Sequence, residues 1–198
     1  PYLAILKESY PYAILVLLMA LYSRTDAIML ERLLDNGAEQ TGIYAYAYRI
    51  LEAFSMIAYL FSTLLLPLFS KMLKERLAWS NLVGTAFKLL ATFAVVAAVA
   101  VASYSRELVE LLYNLSSDQV VLVMAMLIFS IIPISLTYIF GTLLTAGAKL
   151  KCRNRMAVGG VLLNFLLNLW LIPRYQAQGA VFSTLLTQAL TAGVQIYA

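Results

Sequence analysis

Six stretches of this chain are long and apolar enough to cross a bilayer as helices, for which about 20 mostly apolar residues suffice. They run at about Ser9–Leu30, Ile43–Leu66, Leu82–Ala102, Val120–Ala146, Met156–Ile172 and Gly179–Ala198. A backbone in hydrocarbon must satisfy its own hydrogen bonds, which only helices and closed barrels do. The alternating pattern of barrel strands is absent, so the sequence predicts an all-α integral membrane fold over residues 1–198. Charge content agrees, at 12% of the residues against about 25% in soluble domains.

Prolines punctuate the spans. Pro11 falls in the opening turn of the first, where a missing N–H costs little. Pro67 and Pro173 are expected to stop the second and fifth, and Pro133 to kink the fourth. The chain opens at Pro1 without a methionine and ends within an apolar stretch at Ala198. It is read as part of a longer protein.

Loop charges set the orientation. Lys71, Lys74 and Arg76 follow the second span, and Lys149, Lys151, Arg153 and Arg155 follow the fourth. The other connections hold Arg32, Arg106 and Arg174 among several carboxylates. The positive-inside rule places the first set, with Lys7, in the cytoplasm. This topology also accounts for the net charge of +4, without a nucleic-acid partner. Cys152 lies in the basic cluster and reads as a reduced cytosolic thiol. Within Ser103–Gln119, Leu108, Leu111, Leu112 and Leu115 recur at helical spacing, predicting a short amphipathic helix on the outer interface.

Three charges fall inside apolar spans: Asp26 on the first, Arg49 and Glu52 on the second. Each costs about 2.5–3.5 kcal/mol at a helix centre on insertion scales, so such residues pair, face a wet cavity or handle a polar substrate. Arg49 and Glu52 are neighbours on one face, with Met56, Tyr59 and Thr63 near it. Asp26 shares a face with Tyr12, Met19, Tyr22 and Ser23. Both sets lie toward the outer half, so an Asp26–Arg49 contact is expected; an Arg49–Glu52 pair is the other structural arrangement. Arg24 points away from Asp26 and can snorkel outward, and Lys88 can do so near the start of the third span.

Asn164 and Asn168, with Gly160, form one polar stripe; Thr184, Gln188, Thr191 and Gln195 form another. Such stripes pack helices closely and hydrogen-bond between them, which makes Asn164, Asn168 and Gln188 secondary cavity candidates. Tyr44, Tyr46 and Tyr48 read as an interfacial aromatic belt, with Tyr46 also placed to stack on a sugar. The chain has no histidine, and neither a nucleophile–base set nor a metal-ligand spacing is visible. The reading is therefore a non-enzymatic one, with no cofactor.

Several motifs resemble the C-terminal half of bacterial polysaccharide exporters, the Wzx-type flippases of the MOP superfamily that also holds the MATE multidrug exporters. They are Asp26-Ala-Ile-Met-Leu, Gly42-Ile-Tyr-Ala-Tyr-Ala-Tyr-Arg49, Ala146-Gly-Ala-Lys-Leu-Lys, Asn164-Phe-Leu-Leu-Asn168-Leu-Trp-Leu-Ile-Pro173, then Gly179-Ala180 and Thr184. The resemblance implies a six-helix lobe of a MATE-like transporter, facing a missing N-terminal lobe across a central cavity that opens to either side in turn. It implies an undecaprenyl-pyrophosphate-linked oligosaccharide as substrate, moved across the bacterial inner membrane for polysaccharide or O-antigen export. Arg49 is the position to which it carries the pyrophosphate contact. Asp26 and Glu52 would offset that charge or couple transport to Na⁺ or H⁺, with Arg24, Tyr46 and Tyr59 beside them. Two other readings stand: a cation-coupled multidrug exporter of the same fold, which favours acidic cavities, and a membrane-embedded glycan polymerase or transferase.

Overall fold

The computed structural model describes residues 2–76, 78–147 and 150–197, apart from the side chains of residues 2–9, 11, 12 and 15. Tyr12 and Lys149, both used in the sequence reading, thus lie outside the described side chains. The chain is helical: α1 (Tyr2–Leu33), α2 (Gly37–Lys74), α3 (Ser80–Ser103), α4 (Ser105–Tyr113), α5 (Asp118–Leu127), α6 (Ile131–Ala146) and α7 (Leu150–Tyr197). A 3₁₀ turn at Ile128–Ser130 joins α5 to α6 into one rod, and α7 breaks at Gln176 into two arms. The result is six rods with the short α4 lying between α3 and α5, a multi-pass membrane fold. Among the described residues, α2, α3, the α5–α6 rod and α7 are long and apolar enough to cross a membrane.

The element bounds correct the expected spans in several places. α2 begins at Gly37 and runs through Pro67 to Lys74, about 57 Å at 1.5 Å per residue. That exceeds the about 30 Å hydrocarbon core. Pro67 sits inside this rod because neighbouring groups can take up a freed carbonyl. Pro173 likewise lies inside the first arm of α7; the break comes three residues later, where Gln176 turns to φ 53°, ψ −132°. The fourth rod tightens at Ile128–Ser130, just before Pro133, which lies in the first turn of α6.

Two close turns set the depth of everything below them. Gly37 follows the α1–α2 turn, and a Cβ there would stand 2.4 Å from the Glu31 carbonyl oxygen. Gly179 follows the Gln176 break, and its Cβ would meet the Leu171 carbonyl oxygen at 2.4 Å. Real side chains do not fit against backbone at that distance, so both positions require glycine. Gln40 ties the turns together, its Oε1 accepting from the Ala177 N–H at 3.2 Å.

The core has two parts. Leu30, Tyr44, Ala47, Leu127, Ile131, Ile172 and Val181 belong to the larger cluster at the turn end, and Ala58, Phe69, Leu90 and Ile139 to a smaller one. Large apolar side chains such as Leu64, Val96, Leu162 and Leu166 cover the outside. In water that would be an aggregation hazard; in a bilayer it is the surface the lipid wets. α4 buries Val109, exposes Leu111 and Leu112, and is tied to α2 by Tyr113, whose hydroxyl donates to the Tyr46 carbonyl at 3.1 Å.

Candidate functional site

Four side chains meet at one depth. Asp26 is seven residues from the end of α1 and Tyr44 seven from the start of α2. Asn168 and Thr184 each lie eight residues from Gln176, one on either arm of α7. At 1.5 Å per residue, all four sit about 10–12 Å below the turns. Asp26, only 4% exposed, is the centre of the layer. Its Oδ2 accepts from Tyr44 Oη at 2.7 Å and from Thr184 Oγ1 at 2.5 Å, and its Oδ1 accepts from Asn168 Nδ2 at 2.6 Å. Asn168 Nδ2 also reaches Asn164 Oδ1 at 3.2 Å.

This arrangement corrects the expected ion pairs. Among the described residues the one ion pair is Arg106–Asp118, exposed and 2.7 Å long, so neither Asp26–Arg49 nor Arg49–Glu52 forms. The physical reason is position. Arg49 stands exposed on α2, a full turn beyond Tyr44, and three neutral donors already occupy both oxygens of Asp26. Such donors satisfy the carboxylate oxygens without a cation. The set is not closed, however. Asn168 Oδ1 and Asn164 Nδ2 are buried without partners, as are Tyr22 Oη and Thr187 Oγ1 nearby. Buried orphan polar atoms are costly, and this group gathers them around one carboxylate.

Asp26 opens onto a cavity of about 540 Å³ between α1, α2, α6 and both arms of α7. Glu52 and Tyr59 line it from α2, Tyr22 from α1, and Thr184 and Gln188 from the second arm of α7. Gly160 on the first arm lets Thr191 close in; a Cβ would stand 3.2 Å from Thr191 Oγ1. Of the other expected residues, Asn164 and Asn168 are fully buried behind the wall, next to Asp26. Arg24 and Arg49 are exposed and do not line this cavity. Tyr46 is turned away, its ring tilted against that of Tyr113 with centroids 4.6 Å apart.

Two contributors escaped the sequence reading. Tyr44, read as part of an aromatic belt, is buried and holds Asp26. Arg153, read as a loop cation, lines the cavity. Its Nη1 donates to Thr145 Oγ1, its guanidinium rests on the bare face of Gly141, and its Nε is buried without a partner. α7 begins at Leu150, so Lys151, Arg153 and Arg155 lie in the opening turns of a helix rather than in a loop. Every other member then faces outward, with Lys151 and Arg155 exposed and Arg153 half-buried. Arg153 lies fifteen residues before Asn168 along one arm, about 22 Å. The wall thus carries carboxylates at one end and in the middle, and a guanidinium at the other.

No family model matches this chain, and no curated protein matches it. Among solved structures it is similar to a MOP superfamily transporter from Pyrococcus furiosus Vc1, with a TM-score of 0.75 over 96% of this chain and 16% identity. That transporter is described as having a binding pocket of reverse polarity, suggesting a different function for it. The chain spans 42% of its length. The fold is therefore similar to that of part of this MOP superfamily transporter.

Proposed function

We propose that this chain is one lobe of a cation-coupled transporter, working by alternating access, in which Asp26 takes the coupling ion. The observation that carries the reading is the Asp26 layer: a buried carboxylate in a membrane span, held by neutral groups alone. Oxygen ligands suit a hard monovalent cation such as Na⁺, and Asp26, Thr184 and Asn168 are the residues that would hold it. The unpaired amide atoms of Asn164 and Asn168 support this fit, since both amides can turn over to present oxygen. A bound cation, or a proton on Asp26, would neutralise the one charge sealed in the layer. Neutralisation of that kind lets polar and charged groups change surroundings at lower cost.

The wall charges favour the cation-coupled exporter over the lipid-linked oligosaccharide flippase. The cavity is lined by two carboxylates, Asp26 and Glu52, and one guanidinium, Arg153. An acidic balance suits a cationic or neutral amphipathic solute better than a pyrophosphate. Arg153 supports the second reading, in which it holds the phosphate while hydroxyl and amide groups of Tyr22, Tyr59 and Gln188 meet sugar. Arg49 could join it there only from outside this lobe's wall. The bacterial inner membrane and the glycan belong to that reading, and the missing lobe to both; the comparison protein is archaeal.

The test uses the full-length protein in liposomes with imposed Na⁺ or proton gradients. An amphipathic organic cation and a lipid-linked glycan are supplied in parallel. The main reading expects the cation to move with the gradient. Movement of the glycan alone supports the second reading, and a chemically altered glycan would overturn transport in favour of a polymerase or transferase.

A further inference from the structure

On the side of the bundle away from the cavity, α2 and α3 leave a shallow groove of about 650 Å³. Phe54 and Phe93 face each other in it, ring centroids 6.2 Å apart, and Val96 and Ala100 extend it toward Ser103. Phe54 is two residues from both Glu52 and Met56, a rotation of about 200° around the helix. The groove therefore opens on the bilayer, whereas Glu52 and Met56 face the cavity.

Lys88 is the one charged residue lining the groove, and it stands exposed near the Ser80 end. Among the described residues it forms neither an ion pair nor a hydrogen bond. It lies eight residues inside α3, about 12 Å from the helix start. A cation at that depth is costly unless it snorkels or meets an anion. Thr92, one turn on, lines the same groove. Some helical hydroxyls bond back to a carbonyl three or four residues earlier, as at Thr63 and Thr85, and others, such as Ser55 and Thr137, do not. Thr92 makes no such bond. The free Lys88 ammonium thus stands at one end of an apolar trough. From Lys88 to Ala100 the trough runs about 18 Å along α3.

We propose that this groove binds an anionic phospholipid. Its phosphate meets the Lys88 ammonium, which snorkels toward the Ser80 end of α3, and one acyl chain lies along Phe93, Val96 and Ala100. The lone positive charge selects the headgroup, and the phenyl rings hold the chain.

The full-length protein in neutral detergent would be given equimolar phosphatidylglycerol and phosphatidylcholine, and the co-purifying lipid quantified by mass spectrometry. The wild type should retain phosphatidylglycerol about fivefold over phosphatidylcholine, the discrimination one cation near a membrane surface confers. Lys88→Ala should abolish the preference and Lys88→Arg preserve it. Val96→Trp, which fills the trough from its exposed side, should reduce retention of both lipids. Equal retention by the wild type, or an unchanged preference in Lys88→Ala, overturns the proposal. A preference that survives Val96→Trp but disappears in Lys71→Ala/Lys74→Ala places the lipid on the loop cations and overturns it as well. Lys88→Arg keeps the test open if the alanine variant fails to fold.

Discussion

Tyr44→Phe removes one hydroxyl and nothing else from the Asp26 layer. The lost bond is 2.7 Å long and buried, and it ends on a carboxylate that then keeps Thr184 and Asn168 as donors. Its worth depends on the charge of Asp26. Neutral side-chain hydrogen bonds in membrane proteins average about 0.6 kcal/mol by double-mutant cycles. Bonds to a charged group contribute about 1.5–3 kcal/mol. An ionised Asp26 therefore predicts that Tyr44→Phe destabilises by about 2 kcal/mol. The same change in an Asp26→Asn background should cost about 0.6 kcal/mol or less. The assay is reversible unfolding of the full-length protein in micelles, run as a double-mutant cycle at neutral pH without added Na⁺. A Tyr44→Phe cost below about 0.6 kcal/mol in the native background, or a coupling near zero, would refute a charged carboxylate held by neutral donors.

Other consequences follow from the close contacts. Gly179→Ala drives a Cβ into the Leu171 carbonyl, so it should cost about 1–3 kcal/mol or more, read as lost folded protein at matched expression. Gly160→Val should wedge the two arms of α7 apart at Thr191 and lower transport more than it lowers folded yield, measured by flux per folded molecule. Arg106→Ala removes an exposed pair and should change stability by less than about 1 kcal/mol in the same unfolding assay. Arg153→Gln should leave uptake of an organic cation intact or raised and weaken that of an anionic substrate, compared by initial rates; equal effects on both would remove Arg153 from substrate selection.

The all-α fold and its long apolar helices were legible because hydrocarbon imposes a length and a composition that survive in any window of the chain. Asp26, the asparagine pair and the Thr184 stripe stood out for the same reason, as polar groups where lipid penalises them. Their partners did not. The donors to Asp26 lie 18, 142 and 158 residues away in the chain, and only the Gln176 break brings both arms of α7 against α1. Tyr44 was misread because an interfacial tyrosine and a buried one share the same sequence signal at a helix entry. Arg153 was misread because a basic run reports topology. Which member turns inward depends on where the helix begins, and α7 begins two residues before Cys152. Pro67 and Pro173 read as stops because helix interiors in water reject proline, whereas long membrane helices absorb it.

The central claim is that Asp26 couples an ion to transport, and its most direct test is Asp26→Asn in the full-length protein in liposomes. Substrate flux would be recorded with and without an imposed Na⁺ or proton gradient. The asparagine keeps the size and can still receive the Tyr44 and Thr184 hydroxyls, so it should remain folded. The account predicts that gradient-driven accumulation disappears while downhill substrate exchange continues. Accumulation that still follows the gradient in Asp26→Asn would contradict it and assign Asp26 a purely structural role.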